Sequence, residues 1–94
     1  MLNPPQSKNK MVKLVQIVKN ADQYHLREIV VNSAHIMTMV ADPKAAGLHA
    51  SGLLPEGLHD AQQFSRVTFT NGKQITVIGT PELIGQKAKN VLHG

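Results

Sequence analysis

The chain has 94 residues, 41% of them apolar, with ten Lys and Arg against six Asp and Glu and a net charge of +4. That length bounds one domain with one modest core. Without cysteine there are no disulfides or thiolate metal sites, and one tyrosine and two phenylalanines leave little for base stacking.

Residues 1–10, MLNPPQSKNK, carry two prolines and no apolar run. They read as a flexible, basic N-terminal arm (Lys8 and Lys10, with Lys13 beyond) rather than a signal peptide. Residues 11–94 then form a single domain. MVKLVQIVK, residues 11–19, is rich in β-branched residues. Val12 and Leu14 share one face and Val15 and Ile17 the other, as in a strand covered on both sides. NADQ, residues 20–23, signals a turn. Leu26–Val31 reads as the next strand, Asn32-Ser33 as a bend, and His35–Ala41 as a further strand. Asp42-Pro43 ends it, because proline restricts its predecessor and donates nothing to a ladder.

Residues 43–63 form a long insert loop. Gly47, Gly52, Pro55 and Gly57 break any long helix, yet Leu48, Leu53, Leu54 and Leu58 are too many for a solvated linker. A structureless connection of this length is uncommon in a compact domain. Two readings stay open: the insert folds over the sheet as a lid, or its leucines meet another chain.

RVTFTNGKQITVI, residues 66–78, holds Asn71-Gly72, a strong hairpin signal. A two-residue loop pairs Thr70 with Lys73 and Phe69 with Gln74, which sets Val67 and Phe69 on the face opposite Ile75 and Val77. A one-sided core forbids that. A three-residue loop, Thr70-Asn71-Gly72, with Gly72 left-handed in a bulge, pairs Phe69 with Lys73, Val67 with Ile75 and Ser65 with Val77. The apolar residues then share a face. Thr80-Pro81-Glu82 starts a helix: a capping hydroxyl, proline at the first position, and an acid at the positive end of the dipole. Leu83, Ile84, Ala88, Val91 and Leu92 form its apolar stripe.

These elements predict a small α+β domain. About four mostly antiparallel strands make a curved sheet or partly open barrel, covered by one C-terminal helix. No apolar run reaches the ~20 residues of a membrane span, so no membrane partner is expected. The lack of cysteine staples favours a cytoplasmic setting.

Candidate chemistry is sparse. His49 and His59 share the insert, and Ser33 and His35 are two apart, but neither pair has metal-site or nucleophile-elbow spacing. GTPELIG lacks the Gly-Lys-Ser/Thr ending of a phosphate loop. The expectation is therefore no enzyme, no catalytic residue, no metal and no cofactor. Two functional readings follow. The first is a regulatory or assembly-forming interaction module, homo-oligomeric through an edge strand or through Leu48, Leu53, Leu54 and Leu58. The second is a nucleic-acid-binding regulator using the N-terminal arm, the hairpin or a basic face of Arg27, Arg66, Lys73, Lys87 and Lys89. Grouping of those cations on one face favours the second; scatter counts against it.

The run IVVNSAHIMTMVAD, followed after the insert by RVTFTNGKQITVIGTPELIGQKA, resembles the small flagellar and swarming-motility (FlbD-type) family. In that family a short β-meander ends in one helix. The run is more distantly similar to the strand pattern of LytTR-type DNA-binding domains. The resemblance covers residues 27–92 and implies the fold and a regulatory or accessory role, with no catalytic residues to carry over. The insert at 43–63 replaces a short turn of the family pattern, and the N-terminal arm is additional to it.

Overall fold

A computed structural model describes residues 11–93, and the side chains of residues 11–87. The expected arm at residues 1–10 lies outside the described residues. Five strands form: β1 (Met11–Asn20), β2 (Gln23–Asn32), β3 (Ile36–Ala41), β4 (Phe64–Phe69) and β5 (Gln74–Ile78). Two helices accompany them, α1 (Pro43–Ala50) and α2 (Pro81–His93). The α+β class holds, with one more strand and one more helix than expected. All pairings are antiparallel, in the order β2-β1-β5-β4-β3.

β1 and β2 make a regular hairpin from Met11↔Asn32 to Asn20↔Gln23. Its loop is Ala21-Asp22, and Ala21 takes the left-handed φ of 59° that a tight two-residue turn demands at its first position. The β4–β5 hairpin adopts the three-residue loop: Val67 pairs with Ile75 and Ser65 with Val77. The Phe69 N–H donates to the Lys73 carbonyl at 2.8 Å, and Gly72 sits at φ 88°.

The sheet is open but must curl. β2 and β3 are its opposite edges, yet only a three-residue 3-10 turn, Ser33–His35, joins them. Four inter-strand spacings in a flat sheet come to about 19 Å. The link from Asn32 to Ile36 reaches at most about 14 Å. Curvature brings the end of β2 towards the start of β3. Ser33 and His35, expected near and within a strand, instead share this turn. The turn is capped by the Asn32 side chain, which accepts from the Ala34 N–H at 2.9 Å.

Both sheet faces are covered. On one, Val12, Leu14, Val67 and Val77 are buried with Ile84 of α2, and Ile29, Val31, Ile36, Met39, Phe69 and Ile75 pack around them. The α2 start follows the expectation: the Thr80 hydroxyl accepts from the Leu83 N–H at 3.2 Å. Ile84 is 2% exposed, a burial that stabilises by roughly 1.5–3 kcal/mol. On the other face, Phe64, Ala45 and Leu54 form a second cluster, joined by Ile17, Tyr24, Ala46, Leu48, Leu58 and Ile78. The insert is therefore a lid over its own sheet. The hairpin register survives a two-sided core because Thr68, Gln74 and Thr76 face the second side, leaving the apolar positions near the loop on the first.

Candidate functional site

Asp42-Pro43 does more than end β3. Asp42 caps α1 and Pro43 occupies its first turn, the same grammar as Thr80-Pro81. One Asp42 oxygen accepts from the Ala45 N–H at 3.1 Å. The other accepts from the Thr76 hydroxyl at 2.9 Å. The Arg66 guanidinium stands 3.6 Å away, with its side chain 41% exposed against 4% for Asp42. Burial pushes the Asp42 pKa up. The Ala45 N–H, the Thr76 hydroxyl, the Arg66 charge and the Lys44 N–H together outweigh burial and hold it below its ordinary value.

A small cavity of about 140 Å³ beside Asp42 is lined by Ile17, Lys19, Tyr24, Lys44, Leu48 and Thr76, among others. The carboxylate is fully engaged in fixing α1 to β5, so this cluster is an anchor for the lid. It offers no free base.

His49 hydrogen-bonds through Nε2 to the His59 carbonyl at 2.6 Å and meets the Phe64 ring edge-on at 5.9 Å. The two histidines do converge, but through a ring and a backbone oxygen, which pins the insert rather than forming a ligand pair. Among the described residues, no three His, Cys, Asp or Glu side chains are placed to hold a metal.

The five expected cations do not share a face. Arg27 is exposed on β2 and pairs with Gln16, which also pairs with Val77. It therefore lies on the face that carries α2. Arg66 pairs with Thr76 on the opposite face and is engaged by Asp42. Lys73 is exposed in the β4–β5 loop. Lys87 on α2 donates to the Lys13 carbonyl at 3.5 Å. The Lys89 side chain lies outside the described residues. This scatter counts against a single basic interface.

The four leucines also divide. Leu54 is buried at 7% exposure, and Leu48 and Leu58 pack against the Phe64 cluster. These three leucines pack within the chain and close the insert onto its own sheet. Leu53, at 56% exposure, is the one of the four turned outward.

A further open feature is the outer edge of β2. In a two-residue hairpin the closing pair, Asn20↔Gln23 here, exchanges both hydrogen bonds, and the direction alternates from there. Gln23, His25, Arg27, Ile29 and Val31 therefore turn their backbone groups to β1. Tyr24, Leu26, Glu28 and Val30 turn theirs outward, where no further strand lies among the described residues. Beside them run Leu26, 37% exposed, and Val30, 56% exposed. A groove of about 470 Å³ opens between this edge and the insert, lined by Tyr24, Leu26, Leu53, Leu54 and Pro55 among others.

The other edge, β3, has six residues, a register shift between Ile36 and Thr38, and the Asp42-Pro43 stop. These are the features that blunt an edge. β2 has ten regularly paired residues and no proline. Its full length escaped the sequence reading because residues 20–23 carry a turn signal and Asn32-Ser33 a bend signal, and the strand runs into both.

The chain matches no protein-family model, no curated protein and no solved structure. No helix among the described residues is long and apolar enough to cross a membrane.

Proposed function

We propose that this chain is a non-enzymatic interaction module whose working surface is the outer edge of β2, and that it self-associates by strand addition there. The observation that supports this best is the contrast between the two edges: exposed apolar side chains flank both, Met37 and Val40 on β3 and Leu26 and Val30 on β2, but β3 is short and interrupted while β2 is ten residues long and regular. Strand addition draws its affinity from main-chain hydrogen bonds and its selectivity from alternate side chains. Both are present on β2, and neither needs a deep pocket or a catalytic group. The regulatory or accessory role implied by the flagellar-family resemblance is compatible with such a module.

Sedimentation of the wild type and of Val30→Lys tests it. The Val30 side chain is exposed, and lysine on an edge strand opposes pairing; it also stands opposite Lys13, so circular dichroism checks that the variant stays folded. The wild type should rise above the 10.2 kDa monomer mass as concentration increases, and Val30→Lys should remain monomeric. A wild type that stays monomeric at about 1 mM, where even a weak millimolar pairing would register, refutes self-association. Tight, salt-sensitive binding to random duplex DNA at low salt would instead favour the nucleic-acid reading.

A further inference from the structure

Resting on the reading that β2 takes up an added strand, we infer that the partner strand is β2 of a second copy, with Glu28 on the two-fold axis. Side-by-side antiparallel pairing of two identical strands requires a two-fold axis perpendicular to the sheet. Each face then continues into the same face of the partner, so only residues of one face can stand opposite each other.

On the face that carries the insert, β2 presents Tyr24, Leu26, Glu28 and Val30. With Glu28 central, Leu26 stands opposite the partner's Val30 and Val30 opposite the partner's Leu26. Both exposed apolar side chains of the edge are covered, twice over. The neighbouring registers do worse. With Arg27 on the axis, two guanidinium groups meet and Leu26 faces the partner's Glu28. With Ile29 on the axis, Val30 faces the partner's Glu28.

The groove selects the same register. Its wall of Leu53, Leu54 and Pro55 rises beside Leu26, with Asp22, Gln23 and His25 towards the hairpin turn, so whatever stands opposite Leu26 meets the apolar wall. With Glu28 central the wall receives the partner's Val30, and Leu53 loses its exposure. With Arg27 central it would receive the partner's Glu28, and with Ile29 central the partner's Asn32. The unfavourable element is the meeting of two Glu28 carboxylates. Lys13, which pairs with Val30 and so lies diagonal to Glu28 on the same face, offsets it from each copy.

Spin labels read the register directly. The chain has no cysteine, so His25→Cys and Gln23→Cys each give a single label on an exposed position. At 3.4 Å per residue, the Glu28-centred dimer separates the His25 positions by about 20 Å and the Gln23 positions by about 34 Å. Glu28→Gln, which removes the like-charge contact, should tighten the dimer about two- to fivefold. These distances with that tightening support the inference.

Both distances shifted together by about 7 Å would overturn the Glu28 register while leaving strand addition at β2 intact. Distances that do not follow the strand spacing, in a chain that does dimerise, would overturn the register and the β2 edge together. A Glu28→Gln dimer no tighter than wild type would remove Glu28 from the axis.

Discussion

Replacing Asp42 with alanine removes three kinds of contact at once, and the geometry says how much each is worth. Loss of a helix cap costs about 1 kcal/mol, within a range of roughly 0.5–2. The Thr76 hydroxyl, which donates to Asp42 at 2.9 Å, is half-buried, and a stranded donor there costs roughly 1–2 kcal/mol. The Arg66 contact adds little. At 3.6 Å it is longer than a hydrogen bond, and the exposed guanidinium is screened, so roughly 0–0.5 kcal/mol is appropriate.

The sum is about 2–4 kcal/mol, a large part of the 5–15 kcal/mol typical of a domain. It corresponds to a fall in Tm of about 10–25 °C at this size. Urea unfolding followed by circular dichroism measures it. A cycle with Thr76→Val separates the hydroxyl contact: the double variant should lose clearly less than the two single losses combined. An Asp42→Ala chain within about 0.5 kcal/mol of wild type, a surface-like effect, would refute the account of Asp42 as the pin between α1 and β5.

The same carboxylate sets an acid limit. Its folded pKa is depressed, so its contribution is complete above the unfolded value near 4 and is lost as pH falls through the folded one. Acid unfolding of Asp42→Asn should be shallower than that of wild type over that window. Phe64→Ala should cost about 3–5 kcal/mol, because Phe64 is 2% exposed and carries the lid cluster; limited proteolysis should then cut within 51–63. Glycine replacements should split by conformation. Gly85→Ala, where an added methyl meets nothing within 4 Å, should stabilise by up to about 1 kcal/mol, whereas Gly72→Ala at φ 88° should destabilise by about 1–2 kcal/mol. Ala21→Gly, which relieves a φ of 59°, should raise the midpoint of urea unfolding.

The parts of the fold that were legible beforehand are those governed by local chemistry. Asn71-Gly72 and the alternation around it specify the β4–β5 register, and Thr80-Pro81 specifies the start of α2. Asp42-Pro43 carries the same capping signal as Thr80-Pro81, but β3 ends there too. The strand-stop reading hid the helix start, and with it the role of Arg66. The leucines of the insert were recognised as buried-type residues, but only the tertiary arrangement decides that Leu54 turns inward and Leu53 outward. Strand order was beyond local reasoning, since the β1–β5 seam rests on the pairs Gln16↔Val77 and Ile17↔Thr76, far apart in the chain.

That seam has a consequence for how the protein opens. The β1–β2 ribbon is sealed along its whole length, and β3, β4 and β5 are sealed to one another, but two residue pairs join these halves. Ile84 lies among Val12 and Leu14 of one half and Val67 and Val77 of the other, so α2 acts as a clasp across the join. Loosening of α2 together with the lid, whose cluster also ties Ile17 and Tyr24 to Phe64 and Ile78, would let the ribbon and the three-stranded half part as two cooperative units, each keeping its own ladder. Native-state hydrogen exchange should show the seam amides and the first turns of α2 exchanging in a single step, below the free energy of global unfolding.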